Sequence, residues 1–180
     1  EAVCEIKVRG NYTLNYAKKP FRLKFDKKQK MFGLNDNAKA KSWVLLADWK
    51  DRSLSNNATN FFLGNTILAS DGYYSSDYRH VEVYLNGKYW GVYLLAEQQQ
   101  LNEYRIDLAE PEDDYEGTDI GYLLEYDNKY IHEDPEKGGD YTFEVDYNNG
   151  AKIKKYDGSS YVADMKGFSI KSDITSINQV

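Results

Sequence analysis

A chain of 180 residues is long enough for one domain with a real core, and no apolar run in it approaches the ~20 residues needed to cross a bilayer. Its single cysteine excludes an internal disulfide and Cys-rich zinc sites, and with only two histidines, His80 and His132, a catalytic triad or His-rich metal site is nearly excluded. The net charge of −6 hides an asymmetry: residues 1–50 carry 12 Lys/Arg against 5 Asp/Glu, and residues 101–150 carry 3 against 16, which argues against a general nucleic-acid binder.

Alternating residues predict a first strand over 3–9, in which Cys4 reads as a buried structural thiol. Arg9-Gly10-Asn11 ends it, with Gly10 allowing a turn or a close approach to a ligand. A second strand is expected over 21–26. Alternation in Lys18-Lys19-Pro20-Phe21-Arg22-Leu23-Lys24-Phe25 puts Phe21, Leu23 and Phe25 on one face and Arg22 and Lys24 on the other. Two cations on one strand face invite an anion, because Arg grips phosphate oxygens in a fork and Lys acts as a point charge. A solvent-facing strand with ordinary charges is the alternative reading.

Leu54, Ala58, Phe61, Phe62 and Leu68 recur at helical spacing and predict a helix near 53–69, capped by Asp51 or Ser53. Asn57-Ala-Thr59 and Asn11-Tyr-Thr13 also match the short glycosylation sequon. The segment 79–97 reads as a β-hairpin turning at Asn86-Gly87, which supplies the two positive-φ residues of a type I′ turn. Simple alternation gives one face of Val81, Val83, Leu85, Trp90, Val92, Leu94 and Ala96, expected to pack on the helix with Trp90 buried. The other face holds His80, Glu82, Tyr84, Tyr89, Tyr93, Leu95 and Glu97. Glu97 then needs a cation, a donor or water to offset its desolvation.

Glu110 to Glu116 reads as a solvated acidic loop, broken by Pro111. Strands are expected near 121–126, 141–146, 151–155 and 167–171, which makes the fold class α+β with mostly antiparallel sheet and few helices. Glu125 and Asp127, at i, i+2 on one strand face, suit a Mg²⁺ ion that shares its shell with phosphate oxygens and water, or else mark a strand running into an acidic turn. Walker A, G-x-G-x-x-G, G-x-S-x-G and H-E-x-x-H motifs are all absent from the sequence.

Taken in order, Arg9-Gly10-Asn11, Lys18 to Phe25, Phe32-Gly33-Leu34, Trp43-Val44-Leu45-Leu46-Ala47, Asp51 with Asn57, and Val81 to Tyr93 closing on Glu97 resemble the CotH family over roughly 7–127. Its members are spore-coat and extracellular proteins with an atypical protein-kinase-like fold. The resemblance implies a single CotH-like domain over 1–180, ATP and Mg²⁺ as cofactors, and phosphoryl transfer to Ser or Thr of a coat or extracellular partner protein, at the cell surface, outside it or in the spore coat. It places Arg9, Lys19, Arg22, Lys24 and Glu97 at the nucleotide and Glu125 and Asp127 at the metal. Two departures stand out. Asn56-Asn57 replaces the family's Arg-Asn pair, and the later Asn-x-Asp and Trp-Asp-Phe-Asp signatures are absent from these residues, so the catalytic aspartates are expected beyond Val180. The alternative function is a non-catalytic extracellular or surface-associated structural module.

Overall fold

Residues 2–126, 130–145, 153–154, 160–161 and 167–180 are described by a computed structural model. The chain divides into two compact units, Glu1–Asp107 and Leu108–Val180. The first unit is built on an antiparallel sheet of β1 (Cys4–Val8), β2 (Phe21–Gln29), β3 (Ala40–Leu46), β4 (Tyr78–Leu85) and β5 (Lys88–Glu97), in the order β1-β2-β3-β5-β4. Helix α1 (Asn56–Leu63) lies between β3 and β4 in sequence and runs on through a π turn at Gly64–Leu68 and a 3₁₀ turn at Ala69–Asp71. The helix expected at 53–69 is therefore present, shifted by a few residues.

Register assigns the two faces of this sheet. Leu23 pairs with Trp43 and Trp43 with Glu97, while Arg22 pairs with Val44 and Val44 with Ala96. One face carries the core: Phe21, Phe25, Leu34, Trp43, Leu45, Ala47, Tyr93 and Leu95 are buried there, with Val81, Val83 and Leu85 packed against them. Val44, Leu94 and Ala96 are buried on the opposite face. Tyr78 shares that face through its pairing with Ala96, and Phe61 of α1 lies 5.8 Å from its ring. The central strand β3 is thus covered on both sides, so Trp43 to Ala47 is a continuous apolar run without alternation.

The hairpin turns at Asn86-Gly87, both at positive φ, with Leu85 opposite Lys88 as expected. Two residues later the alternation fails. Tyr84 pairs with Tyr89 but Val83 pairs with Gly91, so Trp90 is an extra residue in a β-bulge. Gly91 takes φ +125°, which side-chain-bearing residues rarely adopt. Every β5 residue beyond the bulge consequently changes face relative to β4. Tyr93, Leu95 and Glu97 join Val81 and Val83 on the core side, and Trp90 stays 49% exposed. The expected face and the buried Trp90 are both corrected. Cys4 is corrected too: β1 is an edge strand, exposed throughout.

In the second unit β10 (Gly167–Ile170) pairs antiparallel with β6 (Leu124–Tyr126) on one side and β7 (Tyr141–Glu144) on the other. The Phe168 ring packs 5.0 Å from Tyr126 and 5.3 Å from Phe143. A separate antiparallel pair joins β8 (Ile153–Lys154) to β9 (Ser160–Tyr161). Residues 110–116 lie outside regular elements, as expected of the acidic loop. The α+β class with mostly antiparallel sheet is what the chain adopts.

Candidate functional site

The cleft with the most chemistry lies in the first unit, where β1 ends, β2 begins, β3 ends and α1 starts. Arg9, Thr13, Tyr16, Lys18, Lys50, Asp48, Trp49, Asp51, Asn56 and Asn57 are among the residues around a cavity of about 400 Å³. Asp51 builds its helical wall. Its carboxylate accepts the backbone N–H groups of Ser53, Ser55 and Asn56 and the Ser53 hydroxyl at 2.6–3.0 Å, ordering the turn into α1. The Asn56 N–H, the Ser53 hydroxyl and the other backbone donors hold the Asp51 carboxyl down at about 2.

Lys18 is fixed from below. Its ammonium donates to the carbonyls of Ala47, at 2.7 Å, and Val92, and sits 4.4 Å from the centre of the Tyr93 ring. Lysine has three N–H donors, so two are committed and one remains for the cleft. Burial pulls the Lys18 pKa down, and the nearby Asp48 charge opposes that shift. Gly91, at φ +125°, lies beside it, with the lysine's Cε 3.7 Å from where a Cβ would stand, an ordinary contact distance. Arg9 is also desolvated, and its pKa is lowered by burial first and by the Arg22 guanidinium second. Lys50 lies 5.2 Å from the Tyr16 ring centre. Among the described residues none of Arg9, Lys18 and Lys50 has an ion-pair partner.

Asp48, at φ +47°, completes the wall. One carboxylate oxygen accepts the Asn57 amide, and the other, Oδ2, is buried with no donor. Three cations line this cleft with no carboxylate ion-paired to any of them among the described residues, an arrangement that suits an anion's oxygens. The residues present fit a nucleoside triphosphate in its phosphate part. A Mg²⁺ ion carried on those phosphates needs only one or two protein carboxylates. Asp51 is consumed by capping, so Asp48 Oδ2 is the oxygen available here. Among the described residues no group of three or more His, Cys, Asp or Glu side chains is placed to hold a metal.

The described residues among those singled out in the sequence have five different settings. Arg9 lines the cleft. Lys19 does not; its ammonium donates to the Leu14 carbonyl, and Lys18 is the cleft lysine. Arg22 and Lys24 lie on the α1 side of the sheet, with Glu5 and Lys7 around a small cavity of about 70 Å³. Glu97 is on the opposite face, so it does not converge with them. It is pinned by a buried pair with Arg105 at 3.1 Å, by the Asn35 amide at 2.9 Å and by the Asp77 N–H at 3.1 Å, while Arg105 stacks 5.1 Å from the Trp43 ring. Glu125 pairs with Lys171 at 2.9 Å, and Asp140 pairs with the same lysine. Burial pulls the Lys171 pKa down, but those two carboxylates raise it further than burial lowers it. Asp127 lies outside the described residues. Sequence reasoning misses Lys18 and Asp48 as individual site residues. The signal for Lys18 lies in the family motif Lys18-Lys19-Pro20, and for Asp48 in its place directly after the apolar run Trp43 to Ala47.

No curated protein matches the chain. The family model described as CotH kinase protein matches residues 6–179, which extends the resemblance through the second unit. With nearly its whole length matched, the chain belongs to the CotH kinase family.

Proposed function

We propose that this chain is a nucleotide-binding CotH-like kinase module, taking Mg·ATP by its phosphates in the cleft between Arg9, Lys18 and Lys50. The acceptor is a Ser or Thr of a coat or extracellular partner protein, at the cell surface, outside it or in the spore coat. The observation that carries this reading is Lys18: two of its donors are bound to carbonyls, its stem crosses a glycine, and its remaining donor serves a cleft with no carboxylate committed to it. An ammonium held this way needs no reorganisation when an anion arrives, which is what phosphoryl transfer asks of a protein whose contribution is positioning and electrostatics.

In this reading Lys18 and Arg9 grip phosphate oxygens and Lys50 supplies a third positive charge close to where Asn56 replaces the family's arginine, both side chains lining the cleft. Bound Mg²⁺ would neutralise charge on the phosphates, and Asp48 is the residue that would hold it. Tyr16 and Trp49 line the same cleft.

Calorimetry with Mg·ATP tests the proposal. Lys18→Met should weaken binding by about 10–100-fold, the worth of one charged hydrogen bond of ~1.5–3 kcal/mol. Lys24→Met, outside the cleft, should change it by less than about twofold. Equal losses in both variants, or no binding by the unaltered chain, overturns the reading. The non-catalytic alternative rests on a different observation, the exposed aromatic tip of the hairpin at Tyr84, Tyr89 and Trp90, and predicts no binding of Mg·ATP.

A further inference from the structure

The five-stranded sheet ends on one side in β4, and the extra residue of the hairpin lies in β5, so β4 itself runs from Tyr78 to Leu85 without interruption. The Asp77 carbonyl accepts the Glu97 N–H at 3.2 Å. Backbone groups alternate in direction along a strand, so the odd-numbered residues of β4 bond to β5 and the even-numbered ones point outward. The Tyr78 N–H is closed off by the Asp77 carboxylate at 2.8 Å. Among the described residues no further strand or side chain takes the outward groups of His80, Glu82 and Tyr84. An edge of this kind is a template for another strand.

The side chains decide which strand fits. His80 and Glu82 flank Val81, and Tyr78 and Tyr84 stand equally far from it on either side. An antiparallel pair about a two-fold axis at Val81 therefore sets outward residues against outward residues, as the ladder requires: Glu82 faces His80 of a second copy, and Tyr84 faces its Tyr78. The neighbouring registers that keep outward residues together set Glu82 against Glu82 or His80 against His80, like against like. The aromatic residues favour the same register. Tyr84 and Tyr89 are 60% and 54% exposed, with ring centres 5.4 Å apart, while Tyr78 lies against Phe61 on the same face of the sheet. Pairing about Val81 brings the uncovered tyrosines of one copy beside Tyr78 and Phe61 of the other, and buried aromatic contacts of this kind carry much of an interface.

We propose that two copies of this chain join edge to edge through β4, antiparallel about Val81, into one continuous sheet. Sedimentation equilibrium of the full chain over about a hundredfold range of concentration should show the mass rising from one chain toward two. Glu82→Pro removes an outward N–H and leaves the bonds to β5 in place, so it should weaken association at least about tenfold with little change in melting temperature. Tyr84→Ser, which touches no backbone group, is the second variant and should also weaken it about tenfold. Disulfide trapping reads the register, in a Cys4→Ser background whose own association should be unchanged because Cys4 lies on β1, the opposite edge. Facing residues of a non-hydrogen-bonded pair have Cα atoms about 4.5 Å apart, within disulfide reach. Val81→Cys should then cross-link to its own copy on oxidation, and Val83→Cys should not. A single-chain mass at every concentration overturns the proposal. So does a dimer that survives both Glu82→Pro and Tyr84→Ser, or one that Val83→Cys traps as readily as Val81→Cys.

Discussion

Glu97 and Asp51 are both carboxylates committed to structure, in opposite dielectric settings. The Glu97 and Arg105 side chains are 2% and 1% exposed, so removing one charge strands the other in the interior. Glu97→Gln should lower stability by about 3–5 kcal/mol in urea unfolding, because Arg105 keeps its charge beneath Trp43 without a counter-ion. A loss below about 1 kcal/mol would mean that water reaches the pair. Asp51 is half-buried, and its effect is read through pH. Its folded pKa, about 2, lies below the ordinary aspartate value of ~3.9, so its stabilisation is complete above that ordinary value and is lost as pH falls toward 2. The difference in melting temperature between the unaltered chain and Asp51→Ala should therefore be constant from pH 7 to about 5 and close on further acidification. A gap that persists unchanged at pH 2 contradicts the capping role.

At the scale of elements the bulge at Trp90-Gly91 decides which side chains of β5 face the core. Gly91→Ala puts a side chain at φ +125° and should cost about 1–3 kcal/mol, while Trp90→Ala should cost only about 1 kcal/mol, not the ~3–5 expected of a buried indole. Chemical denaturation of the two variants checks the order; a larger loss for Trp90 would mean its ring is covered. The hairpin is legible in the sequence because Asn86-Gly87 is a local signal, matched by φ values of +51° and +77°. The bulge is not, because Tyr-Trp-Gly-Val-Tyr keeps an unbroken strand pattern and only pairing partners reveal the extra residue. Periodicity also misses β3, since burial on both faces erases the period of two. The site suffers from the same two blind spots. Arg9 is found from the turn at Gly10, whereas Lys18 is fixed by the Ala47 and Val92 carbonyls, far from it in sequence, and Asp48 by the end of β3.

Across the whole molecule the charge is divided by unit: 16 Lys/Arg against 12 Asp/Glu over 1–107, and 7 against 17 over 108–180. A chain of net charge −6 should repel a triphosphate if its total charge governed the encounter. The Arg9, Lys18 and Lys50 cleft lies in the unit with the positive balance, and its cations are within a few ångströms of the cavity they line. Charges further from the nucleotide than a Debye length, about 10 Å at 0.1 M, are largely screened, so the cations that line the cleft govern the encounter. The two regimes respond to salt with opposite sign. If the cleft dominates, raising NaCl from about 0.1 to 1 M should weaken Mg·ATP binding several-fold, as screening reaches the close contacts. If net repulsion dominates, the same change should strengthen it. Calorimetry across that salt range, repeated on Lys18→Met, should give a falling affinity with a shallower slope in the variant; an affinity that rises with salt would place the nucleotide away from this cleft.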